Sequence, residues 1–92
     1  MPIRMPVVAG AFYPLQADAC KKELERHLRQ AMPPDVERHA VAALVPHAGW
    51  VYSGTAAAYV YNALARNESP DTFVLFGAVH RWGVEKPAVY PS

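Results

Sequence analysis

In "ALVPHAGWVYSG", residues 43–54, an apolar run stops at Pro46 and His47 and then passes through Gly49 toward a helix start. In "FVLFGAVH", residues 73–80, a second apolar run ends just short of His80. Neutral imidazole is a common nitrogen ligand for zinc, iron and copper, so two histidines that each follow a strand-like run are candidate ligands of one metal ion. Open α/β sheets collect ligands outside the carboxyl ends of their strands, and parallel strands would deliver His47 and His80 to the same edge. A catalytic metal ordinarily takes a third protein ligand and keeps one position open. The sequence supplies no clear third.

The residues around His47 add further chemistry. Pro46 fixes the backbone before the histidine, and Gly49 is expected to permit a tight turn that a side chain would resist. A helix starting near Ser53 and Gly54 would aim its free N–H groups and positive dipole end at the same crevice, where an anionic group could be held. Trp50 and Tyr52 would add an aromatic wall and a phenolic hydroxyl, which makes Tyr52 and Ser53 the candidates for a substrate-orienting or catalytic role. As a nucleophile Ser53 lacks the G-x-S-x-G elbow and an acid to orient a histidine base. Packing is an equally physical use for Trp50, Tyr52 and Tyr61, and a histidine at a strand end often serves as a hydrogen-bonded structural residue. Cys20 falls on an apolar helical stripe, where a free thiol behaves as a small hydrophobe. His27 borders that stripe and His39 precedes the first apolar run; both are expected to be structural or exposed.

The elements that must position these residues follow from periodicity. Residues 1–16 carry Pro2, Pro6 and Pro14, which forbid a helix interior, while "VVAGAFY" could be a short extended piece. From Asp18, a plausible N-cap, to Met32, apolar residues recur at Cys20, Leu24, Leu28 and Ala31, the spacing of one helical face, and "PP" at 33 and 34 stops the helix. "HAVAALVP", residues 39–46, is a continuous apolar run of strand length, as expected where both faces of a strand are covered. Ser53 or Thr55 caps a second helix running to about Arg66, with Ala57, Val60, Tyr61 and Leu64 on one side. "NESPD" then turns the chain into "TFVLFG", residues 72–77, a second buried strand. Strand, helix and strand in this order make a right-handed βαβ unit. The tail "EKPAVYPS" is extended and proline-marked.

Composition bounds the rest. The 92 residues are 52% hydrophobic and 18% charged, an apolar balance for so short a chain, and its excess implies surface that something else covers. Two strands and two helices cannot close a parallel core, so the chain is expected to be the N-terminal piece, residues 1–92, of a single larger α/β domain, or else to be completed by a homo-oligomer. The one cysteine rules out an internal disulfide, and a formal charge of +1 offers no field for nucleic acid or an anionic membrane. Arg4, Arg38, Arg66 and Asp71 interrupt every stretch that could approach a membrane span, and the opening "MPIRMPVV" is not a signal peptide, which makes the cytoplasm the expected location.

"AGAFYP", "PHAGWVYSGTAAA" and "FGAVH" resemble, in order and spacing, the motifs of the Memo family, whose prokaryotic members are the AmmeMemoRadiSam system protein B. The resemblance runs through almost all of the chain and corresponds to about the first third of a typical member. It implies a three-layer α/β/α fold with a mostly parallel sheet, similar to the class III extradiol dioxygenases, of which this chain holds a βαβ unit. It further implies a metal-centred pocket at the strand ends, with His47 and His80 as the motif histidines. The family's third ligand is a cysteine from a later portion, which Cys20 does not match, so the 92 residues alone are expected to hold metal weakly. Ala78 stands where the family usually has proline, Phe12 where it usually has tryptophan, and Arg81 follows the second histidine, where it could alter charge and substrate preference. Radical-SAM and AMMECR1-type proteins are the partners the resemblance implies.

Three readings follow. The first is a mononuclear iron or copper site with dioxygenase-like or redox chemistry, in which His47 and His80 bind the metal and Trp50, Tyr52, Ser53, Gly54 and Arg81 meet the substrate. The second is a non-catalytic module that binds an anionic or phosphorylated peptide at the helix N-terminus, with Arg81 supplying charge. The third is a zinc-dependent hydrolase, because three-ligand zinc also activates water.

Overall fold

Ala17–Gln30 forms the first helix, α1, and Trp50–Ala65 the second, α2, in a computed structural model that describes residues 3–32, 39–66, 70–80, 82–83 and 85–87. In α1 the straight-chain and small residues "ADACKKELERHLRQ" contain no β-branched side chain, and Asp18 lies in the first turn where its charge complements the helix dipole. The cap itself is Gln16, with no side-chain bond, in place of the expected Asp18. The helix ends at Gln30, two residues ahead of the expected Met32, because Met32 precedes a proline and is steered out of the α region.

The buried face of α1 keeps Ala31 of the expected stripe, with Cys20 and Leu28 half-buried, but is shifted toward the bordering His27. Leu24 is 44% exposed, whereas His27 is 5% exposed and Ala31 fully buried. His27 and Ala31, spaced four apart, are the buried positions on the side of α1 that meets α2, His27 through Thr55 and Ala31 through Asn62. Opposite them stands Ala58, which with Ala31 makes up the buried hydrophobic core of the described residues. Small side chains at this crossing let the helices approach closely.

Asn62 on α2 closes the end of α1. Its Nδ2 donates to the Leu28 carbonyl oxygen at 2.7 Å and to the Ala31 carbonyl oxygen at 2.6 Å. Carbonyls in the last turn of a helix have no intrahelical donor, so one side chain from the neighbouring helix supplies what the sequence of α1 cannot. Asn62→Ala is therefore expected to lower stability by about 2 kcal/mol, since two part-buried hydrogen bonds are lost at about 1 kcal/mol each. Chemical denaturation followed by circular dichroism checks this, and a change below about 0.5 kcal/mol would count against the cap.

α2 begins at Trp50, three residues before the Ser53 start read from the sequence. Its first turn is closed by backbone: the Gly49 carbonyl accepts from the N–H groups of Tyr52 and Ser53, and the Trp50 N–H donates to the Phe12 carbonyl at 2.8 Å. That last donor–acceptor pair joins segments far apart in sequence. The "VVAGAFY" piece turns tightly instead of extending, with the N–H groups of Ala11 and Phe12 both donating to the Val8 carbonyl. Gly10 makes the turn possible at φ +85°, a left-handed conformation that a Cβ disfavours. Tyr13 then stacks on Trp50 with ring centroids 5.3 Å apart, so this turn docks onto the start of α2.

The expected strands are not formed among the described residues. Residues 39–48 and 70–80 are neither helix nor strand, and the one bridge outside the helices is the isolated Ala9–Tyr13 pair. Backbone in a strand needs a neighbouring strand for its N–H and C=O groups, and apolar side chains on both faces need cover. Here Val41 is 91%, Leu44 93% and Phe76 95% exposed. The described residues accordingly show a two-helix unit flanked by two uncovered apolar segments, and the βαβ sheet layout is not seen among them. The "PP" stop, most of the "NESPD" turn, Arg81 and most of the tail lie outside the described residues. No helix among those described is long and apolar enough to cross a membrane.

Candidate functional site

The two imidazoles meet although the described residues around them form no sheet. Nε2 of His47 lies 3.2 Å from Nε2 of His80, with ring centroids 5.2 Å apart and planes inclined at 41°. Two ring nitrogens facing each other this closely would oppose lone pair to lone pair unless something positive stood between them, either a proton on one nitrogen or a cation shared by both. Two nitrogens each bound at about 2.0–2.1 Å to one tetrahedral ion sit about 3.3–3.4 Å apart. The observed separation fits such a pair of ligands. Among the described residues no third histidine, cysteine or carboxylate joins them in a metal-binding cluster. Cys20 is a half-buried free thiol on α1.

The segment carrying His47 is tied to α2. The Ser53 hydroxyl donates to the Ala48 carbonyl at 3.1 Å, clipping the residue after His47 onto the first turn of the helix. Gly49 has φ −52°, which any residue adopts, and a Cβ there would make ordinary contacts at 3.6 Å or more, so the expected need for glycine at this turn is not met. The glycine that matters is Gly54. A Cβ on it would come within 2.7 Å of Nε2 of His27.

His27 is the residue the sequence reading undervalued. Its buried ring pairs Nδ1 with the Thr55 hydroxyl at 2.8 Å, sets Nε2 3.4 Å from a Glu23 carboxylate oxygen, and meets the Trp50 ring edge-on at 6.5 Å between centroids. Two signals pointed to it: Glu23 and His27 are four apart, and Gly54 is a glycine inside a helix, where it costs about 1 kcal/mol unless close packing requires it. His39 is exposed, as expected.

An open cleft of about 570 Å³ adjoins His47, walled by Phe12, Tyr13, Trp50, Ala57 and Tyr61, with His27 also on its lining. Among the residues expected to meet a substrate, Trp50 and Ser53 line this cleft, Trp50 half-buried against Tyr13 and His27. Gly54 also lines it but has the His27 ring against its α-carbon. Tyr52 is 86% exposed, and Arg81 lies outside the described residues. The helix N-terminus offers less to an anion than expected, since the N–H groups of Trp50, Tyr52 and Ser53 already have backbone acceptors.

A small helical unit that presents a facing histidine pair beside an aromatic cleft is the class of structure described so far. The family model of the Memo-like proteins matches residues 4–92, and the chain belongs to that family. It is 46% identical over 80 residues to a MEMO1 family protein of Methanococcoides burtonii, covering 85% of this chain and 28% of the relative. It is 41% identical over 91 residues to a MEMO1 family protein of Thermococcus onnurineus, covering 98% and 31%. With a MEMO1 family protein of Pyrobaculum arsenaticum the identity is 33% over 93 residues, covering 95% and 33%. The chain thus spans about three-tenths of the length of the curated relatives it matches. No solved structure matches it. Membership agrees with an α/β fold of which these residues are a part.

Proposed function

We propose that this chain contributes two protein ligands, His47 and His80, to a mononuclear iron or copper centre used for dioxygenase-like or redox chemistry. The observation that supports this reading most is the 3.2 Å approach of the two Nε2 atoms, which matches the span of two ligands on one ion. Imidazole suits iron, copper and zinc alike, and the fold that the family resemblance implies, similar to the class III extradiol dioxygenases, favours the redox metals over zinc in this reading. When bound, such an ion supplies a Lewis-acidic, redox-active centre where an oxidant and a substrate can meet.

The chain's own residues do the remaining work in this reading. Ser53 holds Ala48 and so fixes where His47 starts; the aromatic walls formed by Phe12, Tyr13 and Tyr61 seat an apolar or planar group. In the same proposal, residues 39–46 and 72–77 pair as parallel strands on either side of α2 once a covering layer is present, completing the three-layer α/β/α arrangement. The metal content and absorption spectrum of the protein purified without chelator test the assignment, together with dioxygen consumption in the presence of reductant. Iron or copper near one equivalent with a histidine-ligand spectrum supports it. Zinc alone with esterase or amidase turnover would transfer the site to hydrolysis, and a metal-free protein that takes up none of the three would end the proposal.

A further inference from the structure

We infer that His27 is a positioning residue for the imidazole pair, acting through Gly54 and the first turn of α2, an inference that rests on reading His47 and His80 as one site. The contacts run without a gap. His27 on α1 is 5% exposed, bonds Thr55, meets Trp50 edge-on and lies flat against the α-carbon of Gly54, so one buried ring seats residues 50, 54 and 55 of α2 at once. The same turn carries Ser53, whose hydroxyl holds the Ala48 carbonyl, and Ala48 is covalently next to His47. A displacement of this turn is thereby passed to the exposed His47 ring, whose Nε2 lies 3.2 Å from that of its partner.

The pairing of a ring with a glycine makes the device size-matched. A methyl group on Gly54 would stand 2.7–2.9 Å from three atoms of the His27 ring, closer than real Cβ contacts, so either the ring leaves Thr55 or the helix start lifts. Glu23, the charged group facing this ring from α1, is held at 3.4 Å and orients Nε2 from the side away from Thr55. His80 is linked to this turn through its bond to His47. His27 therefore acts on the pair through His47.

The test reads the imidazole proton and nitrogen resonances of His47 and His80 in the metal-free protein at fixed pH, followed by titration with Co²⁺. His27→Ala and Gly54→Ala are each expected to shift the resonances of both histidines and to weaken Co²⁺ binding about tenfold, the lower end of what losing a ligand-supporting contact costs. His27→Ala/Gly54→Ala, in which the added methyl occupies part of the vacated space, is expected to return both readouts toward wild type. Asn62→Ala, which weakens the same helix pair at its other end, is expected to lower the melting temperature and leave the resonances in place. The inference is overturned if neither single variant shifts them, if the double variant recovers nothing, or if Asn62→Ala shifts them equally, since His27 would then be merely structural. Resonances that respond as expected in a protein that binds no Co²⁺ would keep the positioning role and remove the metal assignment instead.

Discussion

His47→Ala and His80→Ala are each expected to abolish stoichiometric metal binding, with affinity falling at least about 100-fold, equivalent to about 2.7 kcal/mol. The reason is chelation. With both rings in place the second nitrogen already waits 3.2 Å from the first, so an ion bound by one imidazole meets the other at a high effective concentration. Removing either ring leaves a single exposed imidazole, which is no better than a histidine on any surface. The two variants should therefore be equally damaging, and His47→Ala/His80→Ala should be no worse than either alone. Isothermal titration with Zn²⁺ or Co²⁺ measures this directly. If the two single losses add instead, each histidine binds its own ion and the shared site is wrong. His39→Ala, at an exposed position outside the pair, is the control and should change nothing.

The facing of His47 and His80 was more legible in the sequence than the fold that carries it. His47 and His80 stand at the ends of apolar runs, and that punctuation located both without knowledge of any contact. The two helices were likewise visible from their period, because side chains that recur every three or four residues report a local geometry. Strands report a partnership instead. "HAVAALVP" and "TFVLFG" have the composition of covered strands, yet composition cannot place the neighbour that would pair their backbone, and in this chain Leu44 and Phe76 face open space. The helix starts failed for a related reason: α2 begins at Trp50 because the Phe12 carbonyl, 38 residues earlier, accepts its first N–H, and no local rule of capping anticipates that. Asn62 as a cap for α1 is equally non-local.

His27 shows how a local rule can mislead about function. On an apolar stripe of Cys20, Leu24, Leu28 and Ala31 a neighbouring histidine reads as a border residue, but burial is centred on His27 and Ala31, with Cys20 and Leu28 half-buried and Leu24 left more open. Leu24 is left on the rim of the cleft, available to whatever fills it. The preference is consistent with the uncovered segments: an apolar surface that the two helices leave open is free to serve a further layer of structure.

That layer is the subject of the second large expected effect. Replacing the matched 31% of the Thermococcus onnurineus relative by these residues is expected to give a chimera that melts cooperatively and far above the isolated chain. Covering Val41, Leu44, Leu75 and Phe76, each more than four-fifths exposed, contributes about 1.5–3 kcal/mol per side chain, and a gain of even half that total would dominate a domain this small. On the proposed metal reading, in which a third ligand comes from outside these residues, the same step should tighten metal binding about 100-fold over the isolated chain. Thermal melts, binding of a dye for exposed apolar surface and Co²⁺ titration of the two proteins side by side read both effects. An isolated chain that already melts as sharply, binds no more dye and holds the ion as tightly would mean that the two-helix unit is complete as it stands, and that its apolar segments face water for some other reason.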